Sequence, residues 1–329
     1  MNSKYGSKNY SDKQIEFIKK SAETKDWTWE ELAKRFNKKF KTSKTSNSLR
    51  HVYRSFKDIE PTDLEVVKLR GPRILALDIE TTPILGYVWR LWKQDVGLNQ
   101  IEKDWHVLSW CAKFVGEDEI FYADQRDADD FEDDSAILQQ LWDLMDQADI
   151  LLTQNGKSFD EKKLNARFIL NGMQPPSSSR HIDTKIIAKK HFGFTSNKLA
   201  YMTDKLCIKH KKSGHGKYPG FSMWKECMKG NLDAFREMEE YNILDVLSLE
   251  ELYEKLIAWD SSIDFNAYHD SEEFLCTCGH TELKKNGFHY TNLGKYQRYS
   301  CTNCGKEYRD GNNLLSKEKR KSMKRKTLR

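Results

Sequence analysis

The spacing of apolar residues along the chain predicts strands followed by helices. A nearly continuous apolar run, Ile74-Leu75-Ala76-Leu77-Asp78-Ile79, begins after Arg73 and is typical of a buried strand. Further strands are predicted at 106–114, 119–123 and 150–153, and helices at 135–145, 160–170, 183–192, 197–206 and about 231–258. Because strands come first and helices dominate later, the predicted fold class is α/β, with a mixed sheet flanked by helices.

The first 60 residues show a helical pattern of their own. Ser11-Asp12-Lys13-Gln14 and Thr28-Trp29-Glu30-Glu31 each have the form of a capping box that opens a short helix. A third helix is predicted from about Ser46, with Arg50 and Arg54 on its outer side. Three short helices, the last one basic, resemble the helix-turn-helix class in outline, which implies that Arg50 and Arg54 contact nucleic acid. A small helical bundle that docks another protein is the alternative.

The composition excludes several classes of protein. Of 329 residues, 38% are hydrophobic and 32% are charged, and no run approaches the roughly 18 apolar residues of a membrane span. The polar start of the chain lacks the apolar segment of a secretory signal. We therefore exclude a membrane protein, a secreted disulfide scaffold and a collagen-like fibre. We expect a cytoplasmic protein, in the host cytoplasm if the chain is viral.

Charge is divided unevenly along the chain. Residues 1–70 carry 17 Lys and Arg against 10 Asp and Glu, and residues 276–329 carry 14 against 4. Residues 71–275 carry 24 against 36, so an acidic body lies between two basic ends. This division favours a metal-binding body flanked by segments that bind a polyanion. Solvated surface charge without a partner is the alternative.

Acidic residues recur where the predicted elements would bring them together. Asp78 and Glu80 lie two apart on the first strand, so alternation directs both carboxylates to one face. Asp160 follows the strand at 150–153, and Tyr241 and Asp245 lie four apart on one helix face. Neighbouring carboxylates repel each other unless a cation compensates, and Mg²⁺ or Mn²⁺ is the natural partner for such oxygens.

The same residues resemble the three motifs of the DEDD 3′–5′ exonucleases. These motifs, and the residues that match them, are D-x-E at Asp78 and Glu80, N-x3-(F/Y)-D at Asn155, Phe159 and Asp160, and Y-x3-D at Tyr241 and Asp245. The similarity is strongest to the proofreading exonuclease domain of family B DNA polymerases and to related free-standing exonucleases, and it spans roughly residues 73–258. The histidine branch of the family has His five residues before the last aspartate, where this chain has Glu240, so the tyrosine (DEDDy) branch is favoured. The resemblance implies a ribonuclease-H-like core.

The resemblance also implies a role for each site residue and a pair of Mg²⁺ or Mn²⁺ ions as cofactors. Asp78 would contact both ions, and Glu80 and Asp245 would hold the ion on the side of the attacking water. Asp160 would hold the second ion through water. Tyr241 would orient the attacking water, because a phenol with a pKa near 10 is a poor base at neutral pH.

Four more positions are candidates for nucleic-acid contact. The resemblance implies that Asn155 and Phe159 lie near the 3′-terminal nucleotide, while the alternative has Asn155 capping a helix and Phe159 in the core. Lys211 and Lys212 belong to a basic loop that would follow a phosphate backbone, with a solvated loop as the alternative. Asp183 is interpreted as the N-cap of the helix after it.

Cysteines crowd near the end of the chain, in a pattern that resembles a zinc ribbon. The predicted ligands of one structural Zn²⁺ are Cys276, Cys278, Cys301 and Cys304. The first pair is C-x-C rather than C-x2-C, so His280 or His289 is the alternative ligand. Cys111, Cys207 and Cys227 are scattered and are interpreted as ordinary reduced thiols.

These observations predict a chain of five segments. They are a helix-turn-helix-like domain at 1–60, a linker at 61–72, the exonuclease domain at 73–260, the zinc ribbon at 261–315 and a disordered basic tail at 316–329. The predicted function is metal-dependent 3′–5′ hydrolysis of single-stranded or frayed DNA ends, in replication, repair or recombination. The expected partners are DNA and a replication or recombination protein, with no membrane. The alternatives are a nuclease specific for RNA or for a nucleic-acid structure, and a nucleic-acid-binding adaptor with a weak nuclease core.

Overall fold

A computed structural model describes most of the chain. The described residues are 2–3, 10–23, 28–42, 44–46, 49–50, 52–53, 71–210, 216–269 and 273–324. The chain divides into two compact units, Met1–Glu60 with Pro72–Lys255, and Pro61–Gly71 with Leu256–Arg329. Among the residues described, no helix combines the length and the apolar character needed to cross a membrane. The boundaries of the five predicted segments stay predictions.

The N-terminal segment is helical, as its capping residues predict. Its elements are β1 (Asn2–Ser3), β2 (Tyr10–Ser11), α1 (Asp12–Glu23) and α2 (Trp29–Phe40). The Thr28 hydroxyl accepts a hydrogen bond from the Glu31 amide, and the Glu31 carboxylate accepts one from the Thr28 amide, so the predicted capping box is present. Leu32, Ala33 and Phe36 form the buried face of α2. Residues 46, 49–50 and 52–53 are helical, while Arg54 lies outside the described residues.

A mixed five-stranded sheet forms the body of the first unit. Its strands and the short pair beside them are β3 (Ile74–Thr81), β4 (Leu85–Gly86), β5 (Ile101–Lys103), β6 (Val107–Phe114), β7 (Ile120–Asp124), β8 (Ile150–Thr153) and β9 (Arg180–Asp183). The order across the sheet is β7-β6-β3-β8-β9, and β4 pairs only with β5 among the described residues. The central strand β3 runs antiparallel to β6 and parallel to β8. The α/β class with a mixed sheet is therefore confirmed.

Helices flank this sheet and close its core. They are α3 (Ser135–Met145), α4 (Asp160–Leu170), α5 (Thr184–His191), α6 (Leu199–Leu206), α7 (Ser222–Cys227) and α8 (Leu232–Leu256). Leu138 and Leu141 of α3 are fully buried in one cluster with Leu75 of β3 and Trp110 of β6. The Trp110 indole also donates a hydrogen bond to the Ile137 carbonyl at 2.8 Å. This packing fixes the sheet from which the acidic residues project.

Most predicted elements occur close to their expected bounds, and the misses are short. The sequence pattern did not predict the β1–β2 pair, the β4–β5 pair, β9 or α7. Strand β9 has only four residues and forms because Leu151 and Leu152 of β8 pair with His181 and Ile182. Such a short strand depends on its neighbour in the sheet, which the local sequence does not reveal.

The second unit contains a small antiparallel sheet. Its elements are β10 (Leu283–Thr291), β11 (Gly294–Cys301), β12 (Glu307–Arg309) and α9 (Lys317–Ser322). The prediction of a disordered tail from 316 is wrong for α9. The Ser316 hydroxyl accepts a hydrogen bond from the Lys319 amide at 3.1 Å and caps the helix, and Glu318 lies in the first turn, where a carboxylate is favourable.

Candidate metal sites

Three of the predicted carboxylates lie together in the first unit. Asp78 and Glu80 come from β3 and Asp245 from α8, and one carboxylate oxygen of each lies within 4.8 Å of the others. Ile79, between the first two, is buried in the core, so the alternation of β3 directs its two acidic neighbours to the opposite face. The structure thus brings together residues that are far apart in the sequence.

The fourth carboxylate, Asp160, is not part of this convergent group but contacts the backbone of β3. It is the first residue of α4, it is buried, and its Oδ1 accepts a hydrogen bond from the Ile79 amide at 3.2 Å. Burial raises the pKa of Asp160 to about 6, and the charge of Asp183 acts in the same direction, while hydrogen bonds from the backbone amides of Asp160 and Ile79 oppose the shift. Asp160 therefore contacts the backbone between the two acidic residues of β3.

The electrostatics of the cluster favour a cation. Cys111 pairs with Asp78 across the sheet, and burial together with the charges of Asp78 and Asp245 raises the pKa of its thiol. Three carboxylates within 4.8 Å repel one another, and burial of Asp245 increases the cost of keeping them all ionised. The ligand atoms are all carboxylate oxygens, which suit a hard divalent ion such as Mg²⁺ or Mn²⁺. The residues present therefore fit the metal that the sequence predicts.

Asn242 is a residue of this site that the sequence analysis missed. Its Nδ2 donates a hydrogen bond to Oδ2 of Asp78 at 2.7 Å, and its Oδ1 accepts one from the Ser109 hydroxyl at 3.2 Å. Both Asn242 and Ser109 are fully buried. An available signal was the amide side chain among the apolar residues of this helix, because a buried amide needs hydrogen-bond partners.

Tyr241 lies one helical turn before Asp245. Its ring is half-buried against a cluster that includes Met223 and Phe235, and it meets Trp224 edge-to-face with ring centroids 6.2 Å apart. The structure thus gives Tyr241 a fixed place on the same helix as Asp245. Its role in orienting water stays a prediction.

The predicted nucleic-acid contacts have mixed positions. Phe159 is 38% exposed, so the alternative that places it in the core is wrong. Asn155 has a positive φ of 73°, its amide donates to Asp183 at 3.0 Å, and its side-chain oxygen accepts from Lys185 at 3.0 Å. Asp183 also accepts from the amides of Lys185 and Ile186, which confirms it as the N-cap of α5.

Of the other residues predicted to contact nucleic acid, the structure describes only Arg50. Arg50 is half-buried, with its guanidinium carbon 5.6 Å from the ring centre of Trp29. Lys211 and Lys212 lie outside the described residues, as Arg54 does. Nucleic-acid binding by all of these residues stays a prediction.

The four C-terminal cysteines converge in the second unit. Their sulfur atoms all lie within 4.8 Å of one another, and all four are free thiols: Cys276, Cys278, Cys301 and Cys304. The two closest pairs, Cys276 with Cys304 and Cys278 with Cys301, have sulfur separations of 3.5 and 3.7 Å. These are too long for a disulfide bond of about 2.05 Å. Four convergent thiols suit tetrahedral Zn²⁺.

The surroundings of the cysteines support this assignment of ligands. Gly279 and Gly305, each directly after a cysteine, have φ of +82° and +78°, which allows the tight turns at both pairs. Burial raises the pKa of Cys278, but hydrogen bonds from Asn303 and the His280 amide outweigh it and lower the pKa to about 7. The convergent group contains neither His280 nor His289 among the residues that the structure describes. The structure therefore favours the four-cysteine set over the histidine alternative.

Comparison with known proteins gives one family match, over about half of the chain. Residues 95–257 match the family described as the RNase_H superfamily, a range that includes Asp160, Tyr241 and Asp245 and begins after β3. No curated protein matches the chain. A solved family B DNA polymerase from the hyperthermophilic archaeon Pyrobaculum calidifontis is similar to 70% of this chain at 14% sequence identity, with a TM-score of 0.45. The similarity covers 33% of the polymerase chain, so this chain matches only part of that protein.

The family match and the carboxylate cluster agree on one kind of chemistry. The matched range contains most of the sheet and helices that surround the cluster. Carboxylates that converge on a divalent ion are a common arrangement for hydrolysis of phosphodiesters. Residues 95–257 therefore match the RNase H superfamily, and the α/β structure contains an RNase H-like domain, which supports a nuclease of that superfamily.

Proposed function

We propose that this protein is a metal-dependent 3′–5′ exonuclease that hydrolyses single-stranded or frayed DNA ends. The observation that carries the proposal is the convergence of Asp78, Glu80 and Asp245 within 4.8 Å, with Asp160 bonded to the backbone beside them. The agreement of these residues with the three motifs of the DEDDy exonucleases supports the direction of hydrolysis.

Each side chain has a defined task in the proposed reaction. Two bound Mg²⁺ or Mn²⁺ ions would neutralise the scissile phosphate, lower the pKa of the attacking water and stabilise the leaving 3′ oxygen. Asp78, Glu80 and Asp245 would hold the ions directly, and Asp160 would do so through water. Tyr241 would orient the attacking water. Asn242 is a positioning residue that holds the Asp78 carboxylate by a hydrogen bond at 2.7 Å.

Groups beside the cluster suit a nucleic-acid strand. Phe159, directly before Asp160, exposes its ring, and the Lys163 ammonium lies 3.5 Å from the centre of the Trp105 ring. Aromatic rings beside lysines can stack on bases and contact phosphates. The basic ends of the chain would attract the polyanion that the acidic body repels. The zinc ribbon and the helix-turn-helix-like segment would be further DNA-binding surfaces, or docking sites for a replication or recombination protein.

The first test is the degradation of labelled oligonucleotides by the full chain with Mg²⁺ or Mn²⁺. A 5′-labelled single strand should shorten in steps of one nucleotide, and a 3′-labelled strand should release labelled mononucleotide first. Asp78→Ala should lower the rate by more than about 100-fold, because even residues that only support a metal ligand cost about 10- to 100-fold.

The matched control is Asp118→Ala, which removes an exposed aspartate of the same unit outside the cluster. It should degrade the strand at the wild-type rate. Equal rates for Asp78→Ala and wild type would refute the site assignment. Faster cleavage of an RNA strand, or of a branched or hairpin substrate, would instead favour the nuclease alternatives. The absence of cleavage with intact binding would favour the adaptor.

A further inference from the structure

A long connection leaves the central sheet beside the carboxylate cluster. Strands β3 and β6 are antiparallel neighbours, and a hairpin of about two to five residues could join them. The chain instead runs from Thr82 to His106 before β6 begins. Between β4 and β5, residues 87–97 form no regular element, and long connections of this kind in compact domains are usually functional. We call residues 84–98 the aromatic loop.

The aromatic loop exposes an unusual amount of apolar surface. Trp89 is 93% exposed and Trp92 is 81% exposed. The other large apolar residues of the loop that are exposed are Ile84, Leu85, Tyr87, Val88, Leu91, Val96 and Leu98. Exposed apolar surface on this scale costs free energy in water, and on folded proteins it marks a binding site.

Hydrogen bonds within the loop hold its backbone in a defined shape. The Gln94 side-chain oxygen accepts from the amides of Trp89 and Arg90 at 2.9 and 3.1 Å. The Arg90 guanidinium donates to the Lys93 carbonyl at 2.9 Å. The two tryptophans are therefore presented on a closed, hydrogen-bonded turn and not on an extended chain.

Further contacts tie the base of the loop to the sheet. The Tyr87 amide donates to the Gln100 carbonyl at 2.8 Å, next to the β4–β5 pair. At the two ends of the connection, the Thr82 amide donates to the His106 carbonyl at 2.9 Å, and the His106 amide donates to the Thr82 hydroxyl at 2.9 Å. Thr82 is two residues after Glu80, so the loop leaves the sheet at the same end of β3 as the carboxylates.

The residue types of the loop fit a single-stranded nucleic acid. Arg90 lies between Trp89 and Trp92, and Lys93 follows directly, in a loop whose one acidic residue is Asp95. The loop therefore carries a net positive charge within a body that is acidic over residues 71–275. Exposed aromatic rings stack on nucleobases of any sequence, and adjacent cations contact the phosphates.

We propose that Trp89 and Trp92 form a base-stacking platform that holds the single-stranded substrate next to the carboxylate cluster. The inference rests on the proposed function in one respect, because the strand held there is the one whose 3′ end reaches Asp78 and Glu80. A protein partner would suit the aliphatic residues of the loop as well. The two exposed tryptophans, the interleaved cations and the departure of the connection from the end of β3 that carries Glu80 favour nucleic acid.

The test measures binding separately from cleavage. Fluorescein-labelled oligothymidine of 20 nucleotides is titrated with the full chain in buffer that contains no Mg²⁺ or Mn²⁺, and anisotropy gives the Kd. Trp89→Ala with Trp92→Ala should raise the Kd by about 25-fold or more, since each of the two stacked bases contributes about 5- to 150-fold to binding. Trp89→Phe with Trp92→Phe should retain most of the affinity, because Phe keeps a ring that can stack.

Two controls separate stacking from other causes. An abasic strand of equal length and charge should bind weakly to the wild type and lose little more with the alanine pair. Leu98→Ala, an exposed aliphatic residue of the same loop, should leave the Kd within about twofold. A change in Kd below threefold for the alanine pair, or an equal loss on the abasic strand, would overturn the proposal. So would a sedimentation result in which the alanine pair abolishes self-association but leaves oligothymidine binding intact.

The outcome is independent of the test of the nuclease itself. If cleavage at limiting substrate needs Asp78 but is unaffected by the alanine pair, the stacking platform is refuted and the proposed nuclease is supported. If binding depends on the two tryptophan rings but no cleavage occurs, the proposed nuclease is refuted and a platform that binds single strands is supported. The full chain is used in every arm.

Discussion

The hydrogen bond from Asn242 to Asp78 allows a sharp test of how the carboxylate cluster is positioned. Asn242→Ala removes the donor that lies 2.7 Å from Oδ2 of Asp78, without changing any of the four carboxylates. Asn242 is fully buried between Asp78 and Ser109, so water cannot readily take the place of its amide. The Asp78 carboxylate should then lose the orientation that brings it within 4.8 Å of its acidic partners.

The structure sets the size of the expected effects. A hydrogen bond to a charged group contributes about 1.5–3 kcal/mol to the free energy of unfolding. For a chain of 329 residues that loss lowers Tm by about 2–4 °C. Residues that orient a metal ligand typically contribute about 10- to 100-fold to metal affinity or activity. We therefore expect the concentration of Mn²⁺ at half-maximal activity to rise by about that factor.

The assay combines three measurements on matched variants. Calorimetric titration gives Mn²⁺ affinity, the oligonucleotide ladder gives activity against metal concentration, and thermal unfolding without metal gives stability. Asn165→Ala, on the exposed side of α4, is the control for loss of a helical asparagine and should change none of them. Asn242→Asp keeps the shape but replaces the donor by another carboxylate, so it should weaken metal binding at least as much. A lower Tm with unchanged Mn²⁺ affinity and turnover would refute the positioning role and leave Asn242 a core residue.

Two further predictions follow from the sites. Tyr241→Phe keeps the packing against Trp224 but removes the hydroxyl, so turnover at saturating metal should fall by about 10- to 1000-fold with Mn²⁺ affinity unchanged; an unchanged turnover would make Tyr241 a packing residue only. Cys301→Ser should reduce bound zinc, measured by atomic absorption, from about one ion per chain to well below one. It should also abolish hydrogen-exchange protection of β10–β12, because structural zinc contributes about 10–16 kcal/mol to folding of small zinc modules. Thr302→Ser, at the neighbouring position, should retain the zinc, and wild-type protein without zinc would contradict the assignment of the four thiols.

The local sequence was sufficient to predict a helix or strand wherever that element is stabilised by its own residues. The Thr28 capping box predicts the start of α2, and the apolar spacing predicts α3 at the bounds that the structure has, Ser135–Met145. The run before Asp78 predicts β3, because a central strand buried on both faces is apolar at nearly every position. The order of the acidic residues, and the resemblance that they carry, also needed only the sequence.

Elements that depend on a neighbour could not be predicted in the same way. Strand β9 forms by pairing with β8, and β4 forms by pairing with β5, which follows the aromatic loop. The tail was predicted as disordered from its charge, yet one capping hydroxyl at Ser316 is enough to start α9. For the strands, the deciding partner lies elsewhere in the chain, whereas Ser316 is a local capping signal that the sequence analysis missed.

The sequence by itself determined which side chains have the chemistry for a metal-dependent nuclease and on which kinds of element they lie. Only the tertiary structure decided that Asp78 and Asp245 meet within 4.8 Å, because that distance depends on how α8 packs against the sheet. It also decided that Asn242 supports Asp78 and that Trp89 and Trp92 remain in solvent. Periodicity records whether a residue can be buried, whereas the packing of distant segments determines which residues it meets.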